Sequence, residues 1–442
     1  MKNLILVVAF SVNAWAADGT VVRVDGPSVY LDLGAGAAAP GRRFEVLKAG
    51  AELKHPSTGE SLGPVWERQG SGALTSVEEK YSVGSLSEGK AEVGWKARLL
   101  DAASAAPVPA PSANTPSVSP APGAELSRLP AVKSPSFAME ALDLAVGDVD
   151  GDGAPDAVLF DDNKVEVRRM SGDWGVLCSY DEKATSARLL SGEARDLDGD
   201  GKAEVFVSIH NRLASAVETH VLDCKGGALV RRETLPWLVR AYGASDGTRP
   251  LGAQSLEPDS NFPSSDVHRL AYESGKYRLQ KPPLKHKRLE WLYGFAFSPA
   301  EGEPILLHYN RAQRLTLRYA KGTWTSPAAY GYGPAKLAWH GTEFHFHPRF
   351  MTELAGGELK AVYTVRNIPK LLGMAASFGL YSGAELHRLS FNGMSLEPGW
   401  KADLAGSAGG LDLLPSSGGA PERLAVAVVG ANGRTAVWLF DK

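Results

Sequence analysis

The stretch GDVDGDGAPD, residues 147–156, packs four aspartates into ten positions and separates them with glycines. Carboxylates this close repel one another, and a hard divalent cation is the simplest group that cancels their charge. Alternate side chains of a tight loop converge on one point, and a backbone carbonyl at the seventh position adds a neutral oxygen. Such an all-oxygen set suits calcium, which accepts six to eight oxygen ligands.

The same pattern occurs again in RDLDGDGKAEVFVSI, residues 195–209. Four further segments keep the length, the glycine and the following apolar strand but lose most of the acids, so we expect no metal in them. These segments are YGASDGTRPLG (242–252), FSPAEGEPILLHYN (297–310), MTELAGGELKAVYTV (351–365) and LPSSGGAPERLAVAV (414–428).

A second marker, a glycine turn between two strands, alternates with the first along the chain. It falls at Gly172, Gly226, Gly275, Gly322 and Gly393. Two markers that alternate at intervals of roughly 50 residues indicate a four-stranded blade repeated around an axis. The sequence therefore predicts an all-β fold with a six-bladed β-propeller; seven blades are the alternative, because the longer spacings after Gly322 leave room for one more.

The last repeat unit ends early. TAVWLF, residues 435–440, is its third strand, and no fourth strand follows before the chain ends. The segment LSRLPAVKSP, residues 126–135, has no place in the first blade. We expect it to supply the missing strand, which would pair the two ends of the propeller and remove an exposed sheet edge.

The acidic loops start like an EF-hand but lack its acid at the twelfth position, where Leu159 and Val207 stand inside strands. They resemble instead the FG-GAP or VCBS-type repeats of integrin-like propellers. That resemblance implies a calcium-binding loop between two adjacent strands of a blade. The implied ligands are Asp148, Asp150, Asp152, the Ala154 carbonyl and Asp156 in the first copy, and Asp196, Asp198, Asp200, the Lys202 carbonyl and Glu204 in the second.

Glu204 departs from the family's usual aspartate, so the second site is the less secure of the two. The alternative for both loops is a solvated acidic turn without metal. Calcium surrounded by four carboxylates and a carbonyl has little room for a substrate and acidifies water weakly beside zinc. We therefore expect a structural ion and no catalytic residues.

The first sixteen residues, MKNLILVVAFSVNAWA, have the lysine, the apolar core and the small-residue cleavage site of a secretory signal peptide. Residues 17–100 alternate apolar and polar positions between glycine turns, which predicts a small β-barrel domain. Residues 101–125 are almost entirely Ala, Pro and Ser and form a linker. The propeller then occupies residues 126–442.

The small domain resembles the C-terminal β-domain of the flagellar assembly protein T family. The resemblance rests on GTVVRVDGPSVYLDLG (19–34), PGRRFEVLKAG (40–50) and HPSTGESLG (55–63), the last a predicted hairpin loop. It implies residence in a periplasm or an outer-membrane assembly, and no catalytic activity.

The composition of the chain excludes some classes of binding partner. A net charge of −3 offers no basic field for nucleic acid, and no segment after the signal peptide is apolar enough to span a membrane. Cys178 and Cys224 would meet an oxidising compartment, but the sequence leaves open whether they are bridged. The basic run KPPLKHKRLE, residues 281–290, and the pair His345 and His347 have no clear ligand role.

We expect a periplasmic, outer-membrane-associated or extracellular protein without enzymatic activity, which binds an envelope or cell-surface protein or a glycan. The alternative is a propeller enzyme that acts on polysaccharide or uses a quinone cofactor in its central channel. That alternative predicts acids, histidines or arginines from several blades close to the propeller axis.

Overall fold

The computed structural model describes residues 18–25, 28–34, 38, 42–54, 61–79, 81–99, 126–256, 266–286, 289–300, 303–370, 379–416 and 421–442. The chain forms two compact units, residues 1–118 and 119–442. The predicted signal peptide, the linker and most of the hairpin loop at 55–63 lie outside the described residues. Within those ranges the chain is all-β, and no helix there is long and apolar enough to cross a membrane.

The first unit contains a closed six-stranded barrel with the strand order β1-β2-β5-β4-β3-β6. Its strands are β1 (Asp18–Asp25), β2 (Ser28–Leu31), β3 (Arg43–Lys54), β4 (Ser61–Val77), β5 (Ser82–Gly89) and β6 (Lys96–Leu99). Alternate residues such as Val29 and Leu31 point inward and are fully buried. Gly84 lets the Phe44 ring fill the interior, because a Cβ there would lie 2.3 Å from the ring. The barrel predicted from the alternating pattern is confirmed.

The second unit begins with β7 (Leu126–Ser127) and β8 (Val132–Lys133) and continues as a propeller. Blade I comprises β9 (Asp143–Gly147), β10 (Asp156–Phe160), β11 (Lys164–Arg169) and β12 (Val176–Asp181). Blade II comprises β13 (Ala187–Arg195), β14 (Glu204–Asn211), β15 (Ala216–Lys225) and β16 (Ala228–Leu235). Blade III comprises β17 (Leu238–Ala241), β18 (Leu251–Gln254), β19 (His268–Glu273) and β20 (Lys276–Leu279).

Blade IV comprises β21 (Phe295–Ser298), β22 (Ile305–Tyr309), β23 (Arg314–Tyr319) and β24 (Gly322–Ala329). A two-stranded hairpin follows, β25 (Lys336–Trp339) and β26 (Thr342–His345). Blade V comprises β27 (Met351–Ala355), β28 (Glu358–Pro369), β29 (Tyr381–Phe391) and β30 (Leu396–Leu404). Blade VI comprises β31 (Ser407–Leu414), β32 (Arg423–Val429) and β33 (Thr435–Asp441).

The two sequence markers fall where the repeat predicts them. All six loop segments, the two acidic ones included, connect the first and second strands of a blade, and all five glycine markers lie at the turn between the third and fourth strands. The long spacing after Gly322 contains the β25–β26 hairpin. Among the described residues, the propeller thus has six blades of at least four strands each and one hairpin rather than a seventh complete blade.

The predicted exchange between the chain ends is confirmed. β8 pairs antiparallel with β33, with Lys133 opposite Trp438, and supplies the fourth strand of blade VI. The same segment does more than the sequence indicates, since β7 pairs in parallel with β30 and adds a fifth strand to blade V. Both pairings cover sheet edges that would otherwise expose unpaired backbone groups.

Hydrophobic clusters between neighbouring blades form the core of the ring. Between blades I and II, Phe160 and Val158 pack with Val205 and Val207. The contact between blades VI and I is of the same kind and closes the ring. A disulfide between Cys178 of β12 and Cys224 of β15 also links blades I and II, and β12 pairs in parallel with β16, so these two blades share one eight-stranded sheet.

Gly192 of β13 provides the sharpest test of this packing. A Cβ at Gly192 would lie 1.9 Å from the Phe160 ring, which is fully buried and cannot move away. We expect Gly192→Ala to destabilise the protein by roughly 1–3 kcal/mol, the usual cost of overpacking a core. Chemical denaturation measures this loss. The control is Gly383→Ala, also within a strand, where the nearest atom is 3.9 Å from the added Cβ; equal losses in the two variants would contradict the packing argument.

Candidate metal centre

The first acidic loop connects β9 to β10 and is shaped by Asp148. The Oδ1 atom of Asp148 accepts a hydrogen bond from the Gly151 amide, and its Oδ2 atom accepts one from the Gly153 amide, each at 2.8 Å. Gly151 and Gly153 adopt φ values of +80° and +84°. Only glycine adopts this conformation without strain, which is why the loop alternates glycine with aspartate.

The carboxylates of the first loop converge. One oxygen from each of Asp148, Asp150 and Asp156 lies within 4.8 Å of the other two. Calcium binds oxygens at 2.3–2.6 Å, so two ligands of one ion are at most about 5 Å apart, and this set fits. Asp152 is not part of that group; its Oδ1 atom accepts a hydrogen bond from the Ala154 amide at 2.8 Å. The Asp152 and Ala154 ligands stay predictions.

The charge of the first loop is poorly compensated by the protein itself. Asp156 is 2% exposed, and burial raises its pKa to about 6; the Val149 amide opposes this rise, and Asp150 adds to it. Two cations are found near the loop: Arg169 lies 3.9 Å from Asp150 and is half exposed, and the side chain of Lys202 lies against Gly151. A bound divalent cation would supply the missing positive charge.

The second loop, between β13 and β14, has the same backbone geometry. Asp196 accepts hydrogen bonds from the amides of Gly199 at 2.7 Å and Gly201 at 3.0 Å. Oxygens of Asp196, Asp198 and Glu204 also lie within 4.8 Å of one another. Asp200 accepts from the Lys202 amide at 2.9 Å and stands outside this group, so Asp200 and the Lys202 carbonyl remain predicted ligands.

The second loop differs from the first because an arginine reaches into it. Nη1 of Arg232, on β16, lies 2.7 Å from Asp198 and 3.0 Å from Glu204. The Tyr277 hydroxyl donates to the same Glu204 oxygen at 3.0 Å. Burial raises the pKa of Glu204. Burial also acts to raise the pKa of Asp198, but the hydrogen bond from Arg232 outweighs it and holds the pKa of Asp198 below its usual value. A protein cation thus neutralises part of this ligand set.

The sequence matches the family model for the FG-GAP-like repeat over residues 148–207. This range begins at the first predicted ligand and ends in β14, so it covers both acidic loops. No curated protein sequence matches the chain. The comparisons give no support to the resemblance of residues 17–100 to the flagellar assembly protein T family. That resemblance rests on strand and glycine patterns that many small β-barrels share.

Charged side chains also meet at the propeller axis, as the enzyme alternative predicts. Arg240 of blade III pairs with Asp143 of blade I, and Arg349, just before blade V, pairs with Glu193 of blade II at 2.8 Å. Arg249 pairs with Asp412 of blade VI at 2.7 Å.

These axial groups are packed against protein. Arg349 donates hydrogen bonds to the backbone carbonyls of Leu144, Gly192 and Leu411, which belong to three blades. Burial alone would raise the pKa of Asp412, but the neighbouring arginines, Arg249 first, hold it well below its usual value. The cavity beside Arg349 has a volume of about 20 Å³, room for about one water molecule.

The sequence gives no local signal for Arg232 or Arg349, since neither belongs to a motif. Among the described residues, His345 and His347 do not belong to any group of three converging metal-binding side chains. His345 lies 3.3 Å from Glu343, His347 donates through Nδ1 to the Gly331 carbonyl at 2.7 Å, and no third ligand joins them.

Calcium removal tests the first loop. We expect calcium at a hundredfold excess over its dissociation constant to stabilise the protein by about 2.7 kcal/mol, and EDTA to remove that gain. Asp150→Asn relieves repulsion in the calcium-free protein but deletes a ligand, so it should preserve calcium-free stability and reduce the calcium-induced rise in Tm. Calorimetric unfolding measures both quantities. Asp266→Asn, at an exposed aspartate outside the loops, is the control. An equal calcium-induced rise in Tm in the unmodified protein and in both variants would refute the site.

Arg232→Gln tests the difference between the loops. It leaves Glu204 buried beside Asp198 without a cation, and we expect a loss of roughly 1–3 kcal/mol in calcium-free stability, the cost of a buried polar group that loses its partner. The calcium-induced rise in Tm should grow, because the ion then replaces the missing guanidinium. Arg278→Gln, at an exposed arginine, serves as the control. A calcium response that stays the same or shrinks in Arg232→Gln would show that Arg232 does not compete with the ion.

Proposed function

We propose that the protein is an exported, non-enzymatic binding or scaffold protein with calcium-stabilised propeller blades, and that it presents propeller loops to a protein or glycan of the cell envelope. The observation that carries this proposal is the filled axis. Arg349 and its partners leave room for about one water there. Because a ligand does not fit at the axis, we expect it to bind at the surface loops and clefts of the propeller.

Three further observations support the separate parts of the proposal. Residues 1–16 have the pattern of a secretory signal peptide, and the disulfide between Cys178 and Cys224 is compatible with an oxidising compartment. The FG-GAP-like repeat and the converging carboxylates of Asp148, Asp150 and Asp156 favour calcium as a structural ion. The net charge of −3 argues against nucleic acid as a partner.

If calcium binds, Asp148, Asp150 and Asp156 are the residues that would hold it in the first loop. The ion supplies positive charge that cancels the repulsion between these carboxylates. The protein's own contribution is to fix the loop. Asp148 accepts hydrogen bonds from three loop amides, and Asp156 accepts one from the Val149 amide at 3.1 Å. This role orders the β9–β10 loop and needs no chemical step.

A second candidate function, a polysaccharide-active or quinone-dependent enzyme, is favoured by one observation. Acids and arginines of blades I, II, III and VI meet at the axis, together with Arg349. Their mutual pairing and the small remaining volume weigh against it, because a sugar ring or a quinone needs far more space than one water. The axial charges are better explained as the group that joins the blades.

The full chain, immobilised, tests the two candidates together. We expect it to retain an envelope protein or glycan from a cell-envelope extract in the presence of calcium, and to lose that component in EDTA. Incubation with envelope polysaccharides should release no new reducing ends. Retention of nothing above an empty matrix would count against the binding proposal. Turnover of a polysaccharide or an alcohol that Glu193→Gln abolishes would establish the enzyme instead.

A further inference from the structure

A cleft with a volume of about 1030 Å³ opens between blade IV and the β25–β26 hairpin. It is about fifty times larger than the axial cavity and lies in the range of ligand-binding clefts. Residues of the segment before β21, of the β22–β23 turn, of β23 and of β26 line it. The residues that line this cleft do not belong to the acidic loops or to the axial charged groups, so the roles given above do not explain it.

Trp291 forms a rigid apolar wall of this cleft. Its indole Nε1–H donates to the His345 carbonyl at 2.8 Å, and its ring packs against Tyr293 and Phe344 with centroids 5.3 and 5.0 Å apart. Tyr293 and Phe344 are buried, whereas Trp291 remains partly exposed. A fixed, partly exposed indole offers a flat surface on which a ring can stack at little entropic cost.

Arg318 of β23 supplies positive charge in the same cleft. His308 is fixed as a neutral ring, because its Nδ1–H donates to the Tyr309 carbonyl at 3.1 Å and its Nε2 accepts from Nε of Arg318 at 3.2 Å. In the part of the chain that the structure describes, neither Nη atom of Arg318 has a hydrogen-bond or ion-pair partner. The guanidinium therefore keeps two parallel donors, the arrangement that binds a carboxylate or phosphate in bidentate fashion.

The remaining polar groups of the cleft call for a ligand with many oxygens. Asn310 uses Oδ1 to accept from the amides of Ala312 and Arg314, and among the residues that the structure describes its Nδ2 donors have no partner. Glu343 and Glu290 line the cleft as acceptors, and Glu343 still has lone pairs beyond those that meet Lys336 and His345. A ligand that satisfies all of these groups carries an acid and donates hydroxyl groups as well.

We propose that this cleft binds an acidic sugar, with its ring stacked on Trp291, its carboxylate or phosphate on Arg318 and its hydroxyl groups on Asn310 and the two glutamates. The volume accommodates several sugar units, so an oligosaccharide fits better than a single small anion. The exposed Lys285 adds positive charge to the segment that leads into the rim at Leu289 and Glu290. The proposal rests on the proposed binding function and specifies one class of ligand.

Isothermal titration calorimetry on the full chain tests this inference with two pairs of probes. Trigalacturonate is compared with neutral galactotriose, and glucose 1-phosphate is compared with glucose. We expect at least one acidic probe to bind ten times more tightly than its neutral partner or better. Tighter binding of trigalacturonate than of galactotriose identifies a uronate site. Tighter binding of glucose 1-phosphate than of glucose identifies a phosphosugar site, and either result supports the proposal. Absence of measurable binding, or equal binding of acidic and neutral probes, overturns it.

Two variants locate the site. Arg318→Gln should weaken binding of the acidic probe at least tenfold without changing Tm, and Arg318→Lys should restore part of it, because lysine keeps the charge but lacks the paired donors. The matched control is Arg314→Gln, an exposed arginine on the same strand that does not line the cleft. Equal losses in Arg314→Gln and Arg318→Gln would overturn the assignment. If an envelope partner is retained by the full chain but no acidic sugar binds, this inference fails and the proposed function stands.

Discussion

The hydrogen bonds of Arg349 are the interaction on which the rest of the propeller depends. A ring of sheets brings its inner strands together, and Arg349 donates to backbone carbonyls of blades I, II and VI while its charge is met by Glu193. A buried guanidinium without such partners would destabilise the fold, so Arg349 needs the neighbouring acids as well as the backbone carbonyls. The apolar clusters between blades supply most of the burial, and the axial groups fix how the blades meet.

The cavity beside Arg349 has room for about one water molecule, so the binding that we propose is expected at the outer parts of the propeller. The two acidic loops show how the same backbone geometry is neutralised differently: Arg232 occupies part of the second ligand set, whereas the first set leaves its buried Asp156 beside other carboxylates. Blade IV, whose β21–β22 loop lacks the aspartate pattern, has instead the large cleft, where Arg318 has no ion-pair partner among the described residues. Charge that is left uncompensated in the loops and in the cleft thus marks where small ligands are expected.

The sequence predicts the fold well because the deciding signals are local. The alternation of apolar residues in the strands, the loop turns at glycines such as Gly151 and the glycine markers all lie within a few residues of the structure that they specify. The segment at 126–135, which has no place in the first blade, indicates how blade VI is closed. The pairing of Arg232 with Glu204 spans 28 residues and that of Arg349 with Leu144 spans 205. No local pattern encodes such contacts. The hairpin after blade IV and the cleft beside it escaped prediction for the same reason.

The closure of blade VI by β8 dictates the order in which the ring can be completed. Ser134, next to β8, accepts a hydrogen bond from the amide of Val437, 303 positions later. Both partners must be available before the ring closes, so a nascent chain that still lacks β33 cannot reach the closed state. The complete sheet of blade VI therefore combines strands synthesised at the start and at the end of the propeller, whatever the order in which the other blades form.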